Sequence, residues 1–373
     1  MTLRDDFLIR DDIVFLNHGS FGACPKPVFA AYQAWQLELE RQPVDFLLRR
    51  RNELIPNARQ AIAEYLNVPH DEVVFVTNAT YGLSVVMRSL PLADGDQILT
   101  TNHEYGAVDR LMETVAKSNG AEILRHQVRL PYVSDEFFVE DFFKSASVKT
   151  KVILMSHITS PTALIFPVGQ ICQRAREMGI LTVIDGAHAP GQIPVDLLDI
   201  GADAYSGNFH KWLCAPKGSA FLHVRPELQD LVVPLAISHG CSEGASFVER
   251  HEWLGTKDIA SYLSVPTAIA YQRQHKWQNA GRECRLLAAY LQEQLCNRYE
   301  LQRLSSSQFA QMVTIPLPDC DVVAVRERLY EDYRIEVPVG RFEDRCVMRV
   351  SVQAYNTAEE LQILVEALDA ILD

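Results

Sequence analysis

Between about residues 73 and 225, short apolar runs alternate with longer helical patterns, and this alternation constrains the fold more than any other feature of the chain. The runs are DEVVFVTN, DQILTTN, AEILRHQV, KVILMSHI, LTVIDGA, DAYSGN and GSAFLHV. Several carry near-continuous Val, Ile and Leu, as strands buried on both faces do. Amphipathic stretches such as Leu111–Ser118 and Val168–Met178 lie between them. Repeated strand–helix–strand order predicts an α/β fold with a mainly parallel sheet flanked by helices. Long helical patterns follow at Ile259–His275 and Glu283–Arg298. The tail then reads MVTIPLP, a helix near Val322–Tyr333, RIEVPV, CVMRVSV and a last helix from Thr357. That order predicts a smaller C-terminal α+β domain. A chain of 373 residues accommodates two domains at ~100–200 residues each. We expect a large domain over 1–270 and a small one over 271–373, with the N-terminal segment contributing to the small domain and edging the active site.

The formal charge of −13 argues against nucleic acid and anionic membranes as partners. It leaves room for one small anion in a locally positive pocket. None of the eight cysteines forms a CxxC pair or zinc spacing, which reads as reduced thiols of a cytoplasmic protein. The start, MTLRDDFLIRDD, is charged and has no apolar signal core. No apolar run approaches the ~20 residues of a membrane helix. HEYGA and HEWLG do not complete HExxH, so no metal is expected.

Ligands of an open parallel sheet sit beyond the carboxyl ends of its strands. Five polar segments follow apolar runs there: Thr77–Thr80, Asn102–Tyr105, Ser156–Thr162, Asp185–His188 and Ser206–Lys211. Asp185 ends a strand and is read either as a turn residue or as a carboxylate on a protonated pyridine nitrogen, the electron sink of pyridoxal phosphate (PLP) chemistry. His188 lies three residues on. Lysines are mostly surface residues, but Lys211 sits among Phe209, Trp212 and Leu213. Apolar surroundings lower a lysine pKa and yield a neutral nucleophile. The preceding Ser206, Asn208 and His210 suit a phosphate. Around Asn78–Thr80 a strand gives way to a helix, whose terminus is both a cap and an anion site.

Taken together, LNHGSFGACP, NATYGL, HEYGAVD, SHITSPTAL, DGAHAPGQ, GNFHKWLCAPKG, WLGTKD and MRVSVQAYNT span nearly the whole chain. This set resembles the class V aminotransferase family of fold-type-I PLP enzymes, and within it the isopenicillin N epimerase-like branch. The resemblance implies Lys211 as the Schiff-base lysine, Asp185 on the pyridine nitrogen and His188 by the ring hydroxyl. It implies Tyr105 stacked on the cofactor ring, with Thr80, the Ala79 backbone, Asn208 and His210 at the phosphate. Thr256 is implied to reach the phosphate of a neighbouring subunit, hence a homodimer with shared active sites. Arg349 is implied to clamp the substrate carboxylate, a task that suits a bidentate guanidinium. Asn17 and His18 lie in a segment expected to edge the substrate site.

Two positions depart from the cysteine desulfurases of the same family. The stretch VPVGRFEDR has no mobile cysteine, and Cys346 after it lies in an apolar strand pattern, where a thiol is inert packing. Ser160 stands where many desulfurases carry asparagine. Trp35, Trp212, Trp253 and Trp277 are expected in the core or an interface. Arg49–Arg51 reads as a solvated face, and Arg341 is a candidate for an acidic substrate tail.

The implied chemistry begins with removal of an α-proton by Lys211. Epimerisation then needs a second acid on the opposite face, for which His18 and Tyr105 are candidates. Loss of a β-substituent makes a cysteine or cystine C–S lyase, and proton return to the cofactor an aminotransferase. A non-catalytic PLP-fold binding protein predicts loss of Lys211, Asp185 or Arg349, and all three are present.

Overall fold

The computed structural model describes residues 3–372. Its strands, in chain order, are β1 (Val14–Phe15), β2 (Val73–Val76), β3 (Gln97–Thr101), β4 (Glu122–His126), β5 (Thr150–Ser156), β6 (Leu181–Asp185), β7 (Ala204–Asn208), β8 (Ala220–Val224), β9 (Met312–Pro316), β10 (Ile335–Glu336), β11 (Val339–Phe342) and β12 (Arg345–Ser351). A seven-stranded sheet runs in the order β2-β8-β7-β6-β5-β3-β4. All its neighbours pair in parallel except around β8, which is antiparallel to both β2 and β7. The cause is local. Residues 209–219 hold no helix, and a parallel return needs a crossover of a dozen or more residues.

The apolar runs become strands because both sheet faces are covered. Every residue of β2, β7 and β8 is buried. The edge strand β4 instead carries exposed Glu122 and Arg125, charges that blunt an open edge. Helices Ala79–Ser89, Gly106–Asn119 and Val168–Glu177 fill the connections. The first lies so close to β7 that a Cβ on Gly82 would stand 2.2 Å from Ser206 Oγ.

β9, β11 and β12 form a separate antiparallel sheet. Its core takes Leu16 from the N-terminus and residues between Cys284 and Leu368. β1 pairs with β10, and Asn17 bridges to Ser351, so the N-terminal segment is stitched into the smaller unit. The helical pattern at 259–275 is two helices, Ala260–Leu263 and Val265–Gln274, broken at Ser264 before Pro266, since proline cannot donate to the preceding turn. The next helix begins earlier than its pattern suggested, at Trp277. Among the described residues no helix is long and apolar enough to cross a membrane.

Candidate active site

β2 runs parallel to β7 through the shared antiparallel partner β8, so the carboxyl ends of β2, β3, β5, β6 and β7 lie on one rim. The connections on the β4 side of the sheet and those on the β7 side diverge between β3 and β5, the kind of switch point where open α/β sheets bind ligands. The five polar segments singled out in the sequence meet there.

At the end of β6, Asp185 is buried, and its Oδ1 accepts the Ala187 N–H at 2.9 Å. Burial raises its pKa, while that N–H and the Lys211 cation favour the carboxylate. Gly186 lets the chain turn against Tyr205: a Cβ there would lie 2.0 Å from the ring. Tyr205 Oη bonds to His157 Nδ1 at 2.9 Å, which keeps the ring in place under the turn.

Lys211 follows β7. Its Nζ lies 3.1 Å from His188 Nε2. Burial, and then the Arg349 guanidinium, lower the lysine to about 7, with Asp185 opposing. His188 Nδ1 accepts the Trp212 Nε1–H at 3.2 Å, and burial beside Lys211 holds the imidazole far below its ordinary pKa.

The anion end is built by the helix Ala79–Ser89. Asn78 Oδ1 caps the Tyr81 N–H at 2.8 Å, and Asn208 Oδ1 accepts the Ala79 N–H at 2.9 Å. The Ala79 N–H and the Asn208 Oδ1 therefore satisfy one another, which leaves Nδ2 as the other polar atom of Asn208. The Ala79 amide is not a free phosphate donor, contrary to the expectation, and Asn208 pins the helix to β7 through its Oδ1. The Thr80 N–H, between those capped amides, has no partner among the described residues. His210 gives Nδ1 to the Ser219 carbonyl at 3.1 Å, which leaves Nε2 as its other polar atom. Burial lowers it to about 4, so it is a neutral imidazole.

Tyr105 precedes the helix Gly106–Asn119 and is 48% exposed. With Glu104, Ser160, Pro161, Val339, Arg349 and neighbours it lines a cleft of about 290 Å³ between the two sheets. Arg349 donates through Nη1 to Ser160 O at 2.7 Å and Ser160 Oγ at 2.9 Å, and through Nη2 to Ser20 Oγ at 3.1 Å. Its Nε is buried and unbonded. Among the described residues no carboxylate pairs with it. Burial brings the guanidinium down to about 10, the mark of a cation awaiting an anion.

Two expectations, for His18 and Asn17, need correction. His18 is fully buried, with Nδ1 on Tyr355 Oη and Nε2 on the Lys211 carbonyl, both at 3.0 Å. Neither nitrogen remains for substrate, and the ring braces the lysine's backbone. Asn17 gives Nδ2 to Glu336 at 3.0 Å and accepts from Ser20 Oγ, so it acts through Ser20 rather than lining the cleft. Arg341 stands opposite Cys346 in the β11–β12 ladder. It pairs with Asp319 at 3.0 Å and also lines the cleft that holds Arg349.

Thr256 is exposed between Gly255 and Lys257 and joins no site residue of its own chain. Cys346 is buried and directs its thiol to Asp319 and the Cys320 carbonyl. Arg49 is solvated beside Asp45, while Arg51 lies over Trp253 at 4.7 Å. A larger groove of about 710 Å³, lined by Leu317, Asp319, Arg341 and Cys346, opens on the small unit away from Lys211.

Three residues of the site escaped the sequence reading. Ser20 supports Arg349, and only its place in LNHGSFG hinted at it. Trp212 was read as apolar cover, although its indole N–H bonds to His188. Glu104 was set aside with the HEYGA motif. It is buried, accepts from Thr101 Oγ1 at 2.7 Å and takes two bonds from Ser156. Burial raises it to about 7.

An amine, a buried acid, an open helix terminus and an unpaired guanidinium thus share one rim. They match in turn an aldehyde, a pyridine nitrogen, a phosphate and a carboxylate. The Aminotransferase class-V family model matches residues 24–364. The chain is similar to isopenicillin N epimerase of Amycolatopsis lactamdurans, 32% identical over 385 residues, covering 98% of this chain and 96% of that one. It is also similar to a probable chloroplastic L-cysteine desulfhydrase of Arabidopsis thaliana, 28% identical over 405 residues, 99% and 85% covered. Among solved structures, a mutant of C-DES with glycine covalently linked to its PLP cofactor superposes with a TM-score of 0.85 at 21% identity, covering 99% of both chains. At that identity the likeness is one of fold.

Proposed function

Because this chain belongs to the class V aminotransferase family and takes pyridoxal phosphate as its cofactor, we propose that it acts at the α-carbon of an amino acid or amino-acid-containing substrate as an isopenicillin N epimerase-like enzyme. The observation that carries the reading is the pairing of a depressed lysine, Lys211, with a half-buried arginine, Arg349, that has no acidic partner among the described residues. One group is suited to move a proton and the other to hold a carboxylate.

The cofactor, when bound, supplies an electron sink for negative charge at the α-carbon. Lys211 holds it and, once free, removes and returns the α-proton. With a pKa of about 7 it is poised as a base near neutrality. Asp185 holds the proton of the pyridine nitrogen and so keeps the ring cationic, a fixed charge in a water-poor site. The terminus at Thr80 holds the phosphate, and His210 Nε2 donates to it once the phosphate's negative charge favours the imidazolium, with no lysine or arginine required. Arg349 fixes the substrate carboxylate, with Ser160 and Ser20 holding the guanidinium in plane. Tyr105 covers the ring. It is the remaining candidate for a second acid, since His18 has no free nitrogen. Thr256 completes the phosphate site of a second copy, so the active form is a homodimer.

The 32% identity to an epimerase along nearly the whole chain favours inversion. A C–S lyase is the second reading, favoured by the desulfhydrase relative. It too requires no protein thiol, and the Cys346 thiol faces Asp319 rather than the cleft.

The discriminating experiment incubates the holoenzyme with isopenicillin N and with a panel of amino acids that includes cysteine and cystine. Chiral chromatography reads inversion; sulfide, pyruvate and keto-acid assays read the other outcomes. Inversion without keto acid supports the proposal. Sulfide with pyruvate and no inversion replaces it with the lyase.

A further inference from the structure

Trp212 follows Lys211 directly, and its indole is tied to the same chemistry. An indole N–H is a donor only. Its bond to His188 Nδ1, 3.2 Å long, therefore requires a lone pair on that nitrogen. A neutral His188 must then carry its proton on Nε2. That nitrogen lies 3.1 Å from Lys211 Nζ. Two donors facing each other at that distance repel, so the lysine must present a lone pair of its own. We infer that Trp212 is a positioning residue: it sets the tautomer of His188, which in turn holds Lys211 as a neutral amine ready to capture an aldehyde.

The surroundings make the arrangement rigid. Trp212 is fully buried. Its carbonyl accepts from Gln272 Nε2 at 2.7 Å, and its ring lies 5.1 Å from that of His18. The His188 carbonyl accepts from Gln192 Nε2 at 2.8 Å. The indole cannot swing away, and the imidazole cannot flip without losing both ring contacts. The charged and titratable groups that bear on the pair are Arg349 from β12, His210 beside Lys211, and Asp185 from β6. Arg349 disfavours a proton on His188. Asp185 alone favours a cationic lysine, and the N–H facing Nζ opposes it. The inference deepens the reading that Lys211 carries the cofactor and rests on it for its purpose, but the tautomer is observable without cofactor.

The test is nitrogen-15 NMR of histidine-labelled, cofactor-stripped full-length protein, with the His188 signals assigned by their loss in His188→Gln. The expected spectrum has the proton on Nε2 and a lone pair on Nδ1. In Trp212→Phe, which keeps aromatic bulk but lacks the donor, the Nδ1–H form should appear, and pyridoxal phosphate capture at pH 7 should slow by about fivefold, the loss of neutral amine when a midpoint near 7 rises by about one unit. A wild-type His188 protonated on Nδ1 overturns the inference even if the tryptophan variant does not fold. An unchanged tautomer in a folded Trp212→Phe overturns it as well. A wild-type chain with the expected tautomer that stays colourless with added cofactor supports the relay and refutes instead the reading of Lys211 as the cofactor lysine.

Discussion

Arg349 on β12 and Ser160 beyond β5 are joined twice, through the serine carbonyl at 2.7 Å and its hydroxyl at 2.9 Å. The pair closes the cleft between the small sheet and the large one. It also aims a desolvated cation at the rim where Lys211 and Asp185 stand.

Arg349→Ala should therefore weaken substrate binding more than turnover. A charge-assisted bond is worth about 1.5–3 kcal/mol, so KM should rise on the order of 10- to 100-fold. Arg349→Lys should recover part of this, since a lysine keeps charge but not the fork. Steady-state kinetics on the preferred substrate decides it. A change in kcat with KM untouched would remove the carboxylate assignment.

Lys211→Ala should abolish covalent cofactor attachment and lower turnover by about 10³-fold or more, on the scale of a lost acid–base group. Borohydride reduction followed by peptide mass spectrometry reads the attachment. A reduced adduct mapped to any other lysine would displace Lys211 from its role.

Cofactor capture should follow the free amine. A lysine at its ordinary pKa is almost wholly protonated at neutral pH, whereas Lys211 is lowered to about 7. The neutral fraction grows as pH rises, so the capture rate should climb from pH 5.5 and level off above about 7.5. Stopped-flow absorbance of the cofactor-free protein measures this. A rate still climbing steeply at pH 9 would show an undepressed lysine.

Gly186→Ala should destabilise the fold. The added methyl meets the fully buried Tyr205 ring at 2.0 Å, and overpacking of this kind costs about 1–3 kcal/mol. A fall in Tm, with weaker cofactor binding because Asp185 precedes the glycine, is the expected pair of results. Differential scanning calorimetry and cofactor titration check them, and an unchanged Tm would mean the Tyr205 ring is free to move.

Much of the site was legible in the sequence because it is local to strand ends. Asp185 ends an apolar run, Lys211 follows another, and a parallel sheet must bring such ends to one rim. The antiparallel β8 did not disturb this, since β2 still runs with β7. What could not be read was which polar atoms are already occupied. His18 and Asn17 had the right chemistry and address, yet Tyr355, Lys211 and Glu336 take their donors and acceptors. The Ala79 N–H is taken by the Oδ1 of Asn208, 129 residues away.

The sequence by itself determined the order of strands and helices, and with it the chemical character of the rim: one amine, one acid, one arginine and one helix terminus. Periodicity and adjacency carry that information along the chain. Only the tertiary structure decided that Arg349 lacks a counter-ion among the described residues, that Trp212 orients His188, and that His18 supports rather than binds. Those facts depend on side chains far apart in sequence competing for the same hydrogen bonds in a desolvated space, and such competition leaves no periodic trace.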